Sequence, residues 1–362
     1  MTSIRITADK YFFPAPIFGT MERDSDDDGS LMYEAVKAAL EMGYRRFDLA
    51  ERYATANQVG RAISESKVPR EELFIISKVD GLPTGNYEDI KKRVAVMLKS
   101  LPGIDQFDLL LIHHPLVRGA DLNSDPDKLV GGTAWQYFQQ NIGVAWENMS
   151  RLKLDGLCAE IGVSNFYLQH LGELDKAIQC ATDPCLPREV EAASVAAVEI
   201  YIDCAHPEED LVKHCQNRSP PAAVLGYRPL AFLPVLEFLD CEVVSAPKEN
   251  SGASVVEGAC ATATTTTLLG ALEARATYFP GCSGSRQLVL ASLLLRGVSP
   301  VASSMDKGRI ASNFAAVQLG ITLLSDAKAE LLVPPCNSEQ AEMIIMMGGS
   351  DEYAAAFASM GC

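Results

Sequence analysis

"GYRRFDLAERY", residues 43–53, runs from a glycine through a short apolar strand to an aspartate, with a tyrosine five residues further on. A buried strand that stops at Asp48 delivers a carboxylate to its C-terminal end. Tyr53 then falls in the following loop or on the first helical turn. Upstream, "LMYEAVKAALEMG" (31–43) has helical period, with Met32, Val36, Ala39 and Leu40 on one face and Gly43 as a C-cap. The stretch therefore reads as a helix, a tight turn and a strand that aims polar groups at one point.

The same alternation recurs along the chain. Further strands are expected at 16–20, 73–77, 107–113, 158–164, 195–201, 222–227 and 297–303, besides 45–48. Helical patterns such as "YEDIKKRVAVMLKSL" (87–101) lie between them. Eight strand–helix units point to parallel β/α topology, and eight strands are the number that closes a TIM barrel. A doubly wound open sheet is the alternative, but its usual G-x-G-x-x-G turn is missing, so the (β/α)8 barrel is favoured. The barrel is expected over residues 1–325. Residues 239–267, small and polar, read as a long insertion after strand 7, and 326–362 as a C-terminal tail. The acidic run 23–30 reads as a solvated turn.

Composition narrows the function. A formal net charge of −16 makes nucleic acid and anionic membrane surfaces poor partners. The N-terminus lacks the pattern of a signal peptide, and apolar runs such as 288–295 are too short to span a bilayer. The ten cysteines are scattered without CxxC or zinc-like His spacing, which reads as reduced thiols and a cytoplasmic protein with no metal.

In a β/α barrel the site lies at the C-terminal ends of the strands. Those ends supply Asp48, Lys78 and His113, with Tyr53 just past strand 2. An ammonium beside a phenol stabilises phenolate, and a carboxylate keeps the lysine charged, so Asp48 is expected to hold Lys78 and Lys78 to tune Tyr53. Each residue alone has a plainer reading: Asp48 as a helix N-cap, Lys78 as a solvated loop lysine, His113 and His114 as core histidines, and Tyr227 as core.

At these residues the sequence resembles the aldo-keto reductases. The resemblance rests on "GYRRFDLAERYATANQVGRAI" (43–63), "PREELFIISK" (69–78), "DLLLIHHP" (108–115) and "DGLCAEIGVSNF" (155–166). It resumes in "GYRPLA" (226–231) and "QLVLASLLLRGVSPVASSMDKGRIASN" (287–313). The resemblance implies a (β/α)8 barrel that reduces an aldehyde or ketone with NADPH. It places Asp48, Tyr53, Lys78 and His113 in the catalytic tetrad, with Tyr53 as general acid and His113 orienting the carbonyl oxygen. It implies that Ser164 and Asn165 hold the nicotinamide carboxamide, that Tyr227 stacks on the ring, and that Thr20 borders the cofactor. Arg309 and Asn313 would take the 2′-phosphate and adenine, helped by Ser303 and Ser304 and a helix N-terminus.

The sequence also departs from the family. Ser303 stands where a lysine is frequent, Ala197 where a glutamine contacts the carboxamide, and His114 and Met21 where tryptophans line the substrate pocket. The expected partner is a small carbonyl compound, bound by a monomer. A cofactor-binding regulatory barrel, like some family members attached to membrane channels, is the alternative function. The loop after strand 4 (116–141), the insertion and the tail would shape the pocket, and they leave the substrate unnamed.

Overall fold

The computed structural model describes residues 14–21, 30–116, 133–181, 192–203, 206–233, 242–244, 265–279 and 281–325. Eight parallel strands close a barrel: β1 (Ile17–Gly19), β2 (Arg46–Asp48), β3 (Phe74–Val79), β4 (Phe107–Ile112), β5 (Cys158–Ser164), β6 (Ala197–Tyr201), β7 (Ala223–Tyr227) and β10 (Val298–Ala302). All the expected strands form, each within a residue or two of the range read from the sequence. β1 pairs with both β2 and β10, which completes the ring.

Outside the ring pack α1 (Ser30–Met42), α2 (Ala56–Ser66), α3 (Tyr87–Lys99), α4 (Thr133–Leu154) and α5 (Leu168–Ala181). They are followed by α6 (Glu209–Gln216), α7 (Leu268–Ala276), α8 (Ser285–Leu295) and α9 (Lys307–Ser325). Helix α1 buries Met32, Ala35, Val36, Ala38, Ala39 and Leu40, the face that its periodicity marks. It stops at Gly43, whose φ of +106° belongs to the left-handed region. There the Tyr44 amide reaches back to Ala39 O at 2.9 Å and Gly43 to Leu40 O at 3.1 Å, satisfying the last carbonyls of the helix. A side chain at Gly43 would also press on the Phe314 ring, 3.1 Å from an added Cβ.

The strands alternate between two cores, as their two-residue period requires. Ile17, Phe74, Ile76, Leu109, Leu111, Ala197, Leu225 and Val301 fill the barrel interior. Ile75, Leu110 and Ile112 point outward into the larger core beneath the helices. Both faces of β3 and β4 are buried, which is why these strands read as continuous apolar runs.

Two expectations change. The insertion after β7 is not loop throughout: β8 (Glu242–Val244) and β9 (Thr265–Thr267) pair antiparallel, with Val243 opposite Thr266. Threonine and valine suit such a ribbon. The stretch read as a loop after strand 4 is helical from Thr133 onward, because its aromatic residues bury a face, Phe138 included. Residues 117–132, the acidic run from 23 to 29, the tail 326–362 and the centre of the insertion lie outside the described residues. Among the described residues no helix is long and apolar enough to cross a membrane. Cys158 and Cys215 are buried thiols without disulfides.

Candidate active site

The inward phase of each strand continues past the apolar interior to the barrel mouth. Above Phe74 and Ile76 comes Lys78, and above Leu109 and Leu111 comes His113. The same two-residue step places Asp48, Ser164, Glu199 and Tyr227 on the inner side of β2, β5, β6 and β7. Asp48, Lys78, His113 and Glu199 are all buried. No sequence motif had singled out Glu199. The signal was there: one carboxylate in the apolar strand "VAAVEIY", in phase with the inward-facing Ala197.

Lys78 is the hub. Its Nζ donates to Asp48 Oδ1 and to Leu49 O at 3.3 Å, and Glu199 Oε1 lies 3.3 Å away on the other side. Burial works against the lysine's charge, but the Asp48 and Glu199 carboxylates outweigh it and raise its pKa. Asp48 is thus no helix cap; the residue before α2 is Thr55. Lys78 Nζ sits 5.3 Å from the centroid of the Tyr53 ring. His113 meets the same ring edge-on, with centroids 5.9 Å apart. The expected four residues therefore converge, and Glu199 joins them.

The loop that carries Tyr53 is pinned. Glu51 receives both Nε and Nη2 of Arg93, at 2.8 and 2.5 Å, and also accepts from the Asp80 amide at 2.9 Å. Thr20, fully buried, donates its hydroxyl to Asp48 O at 2.8 Å, while its own carbonyl accepts from Thr55 Oγ1 at 2.7 Å. Thr20 therefore ties β1, β2 and the start of α2 together beneath the site. A cavity of about 460 Å³ reaches Tyr53 from the helix side, between α3 and the outer wall of the barrel, away from the mouth.

Electrostatics differ from the sequence expectation at Tyr53. Burial dominates and pushes the phenol up to about 12, although Lys78 pulls it down. Tyr53 thus keeps its proton at neutral pH. His113 is driven down to about 2 by burial first, then by Lys78, so its imidazole is neutral. Its buried Nδ1 has no hydrogen-bond partner among the described residues. His114 stacks on it, centroids 4.4 Å apart and rings 17° from parallel, and is pushed down to about 4 by burial.

On the far side of the mouth Asn165 adopts a left-handed backbone, φ +62°. Its amide Nδ2 donates to His113 O at 2.8 Å and to Ser164 Oγ at 3.2 Å, while Oδ1 accepts from the Tyr227 hydroxyl at 2.7 Å. The Tyr227 ring is held further by Tyr201, edge-on with centroids 5.8 Å apart. These residues fit a nicotinamide: a fixed aromatic plane beside a serine whose own O–H can still donate to a carboxamide. Ala197 adds nothing polar, being fully buried in the interior cluster.

Past β10 the N-terminus of α9 is already capped. Asp306 Oδ1 accepts from the Arg309 amide at 2.7 Å, and Ser304 Oγ from the Asp306 amide at 3.1 Å. A phosphate there would meet a carboxylate rather than open amides, so side chains must do the binding. Arg309 is exposed and Asn313 buried, one turn apart on α9; Ser303 is half-buried near Gly19. Met21 is exposed at the end of β1.

The family model described as "Aldo/keto reductase family" matches residues 17–332. The glycerol 2-dehydrogenase (NADP(+)) of Saccharomyces cerevisiae is 31% identical over 218 residues, which cover 59% of this chain and 63% of that protein. The aldo-keto reductase AKR2E4 of Bombyx mori is 30% identical over 298 residues, 81% of this chain and 78% of the relative. Its crystal structure in complex with NADP superposes with a TM-score of 0.59 at 24% identity, covering 88% of this chain and 91% of that one, a likeness of fold. With the match running from the first barrel strand past the last, the chain belongs to the aldo/keto reductase family.

Proposed function

We propose that the chain reduces a small aldehyde or ketone to the alcohol with NADPH, acting as a cytoplasmic monomer. The observation that carries this reading is the buried Lys78 beside Tyr53, with His113 against the same ring. NADPH supplies the hydride when bound. Ser164, Asn165 and Tyr227 would hold its nicotinamide end. Neutral His113 would donate one N–H to the carbonyl oxygen and so fix its position. Tyr53, still protonated at neutral pH, would give its proton to that oxygen as negative charge develops on it. A phenol that resists ionisation supports reduction over alcohol oxidation, which needs the tyrosinate. A buried lysine set beside a phenol and a neutral imidazole supports the enzyme over a purely regulatory barrel. NADPH turnover with 4-nitrobenzaldehyde tests the reading, and its absence would favour the regulatory alternative.

Cofactor choice rests on Arg309. Its exposure and the neighbouring Asp306 place its contribution at the low end of charge-assisted hydrogen bonds, about 1.5 kcal/mol. Arg309→Ala should weaken NADPH binding by roughly tenfold and leave NADH binding much less changed. Fluorescence titration with both cofactors measures this. Equal losses would place Arg309 on the shared pyrophosphate or in a structural role.

A further inference from the structure

Lys78 lies between two buried carboxyl groups. Asp48 Oδ1 and Leu49 O accept hydrogen bonds from its Nζ, and Glu199 Oε1 lies 3.3 Å from the same nitrogen. Glu199 Oε2 is left buried without a donor among the described residues, while the Glu199 and Asp48 carboxyls converge on the same Lys78 Nζ. Two ionised carboxylates facing each other would repel, and the cluster would bury a net negative charge. One proton between them turns the repulsion into an O–H···O bond and leaves the cluster neutral.

We propose that Asp48 and Glu199 hold a single proton between them against Lys78, that Glu199 is a positioning residue for proton donation by Tyr53, and that loss of the shared proton at alkaline pH switches reduction off. This rests on the reading of Tyr53 as the acid. The groups facing Glu199 are Asp48 from β2, Lys78 from β3, Tyr53 from the loop before α2 and Tyr227 from β7. Burial raises both carboxyls, Glu199 to about 8, while Lys78 pulls both down; the two titrate as a unit. Below that range Tyr53 faces one ammonium and one carboxylate. Above it a second carboxylate appears, and both carboxylates strengthen the hold of Tyr53 on its proton.

Glu199→Gln mimics the protonated carboxyl, since its amide donates to Asp48 and its oxygen accepts from Lys78. Two measurements test the proposal on the full chain. The first is kcat for aldehyde reduction at saturating NADPH from about pH 6.5 to about pH 9.5, which straddles the pair's transition. The wild-type kcat should fall at least about tenfold across that range, and that of Glu199→Gln by less than about twofold. The second is the infrared carbonyl band of a buried carboxylic acid in protein without cofactor or substrate. It should be present in the wild type near neutral pH, vanish at the alkaline end and be missing in Glu199→Gln. An alkaline fall that persists in Glu199→Gln overturns the proposal. So does turnover by a wild-type protein without the band, and this reading needs no folded variant. The band without any carbonyl reduction would keep the shared proton but overturn the gating together with the reading of Tyr53.

Discussion

Tyr53→Phe should abolish carbonyl reduction and leave NADPH binding nearly unchanged. The substitution removes one hydroxyl and keeps the ring, so its edge-on contact with His113 and the ring beside Lys78 survive. Positioned proton donation contributes about 10²–10⁴-fold in rate, so kcat should fall by that factor. The cofactor dissociation constant should stay within about twofold, because none of the residues that fit the nicotinamide is touched. Steady-state kinetics with cofactor titration measures both. A variant that retains more than about a tenth of wild-type kcat, well short of that range, would remove Tyr53 from the role of acid.

Lys78→Met should cost both activity and stability. Taking away the ammonium leaves Asp48 and Glu199 buried without a cation, and breaking a buried pair from one side costs about 3–5 kcal/mol. The sign with pH follows from the carboxyls. Burial raises their folded-state pKa, so a protonated pair is favoured in acid, and that stability is lost as pH rises through the raised values. The variant should therefore unfold closest to wild type near pH 5 and fall away towards about pH 8. Adding Asp48→Asn should recover stability at neutral pH without recovering turnover, since one orphan carboxyl is gone but Tyr53 still lacks its cation. Thermal unfolding across pH, with turnover, decides this. Strictly additive stability losses in the double variant would mean that Asp48 and Lys78 are not coupled.

Much of this was legible in the sequence because the strands carry their own phase. Asp48, Lys78 and His113 each end an apolar run, and the barrel requires such ends to converge. Tyr53 could be placed because its loop is only a few residues long. Glu199 was not found, since a carboxylate inside a strand announces no chemistry until Lys78 is seen across the barrel from it. The cap at Asp306 was missed for a related reason: "SSMDKGR" reads equally as an open phosphate cradle or a closed one. The rise at Tyr53 was missed because neighbouring charges can be guessed from strand ends, whereas the depth of burial that outweighs them depends on packing.

The clamp on Tyr227 bears on stereochemistry. Its hydroxyl is tied to Asn165 and its ring edge meets Tyr201, so the plane cannot roll or tilt freely. A flat heterocycle laid on such a fixed plane has one face covered and shows only the other to the mouth. With Tyr227 as the proposed platform, the two diastereotopic hydrogens on the reactive carbon of a bound nicotinamide would differ in access, one open to the mouth and the other turned to a phenol ring. Chirality of transfer would then be set by a tyrosine on β7 and an asparagine beyond β5, neither of which need touch the atoms that react.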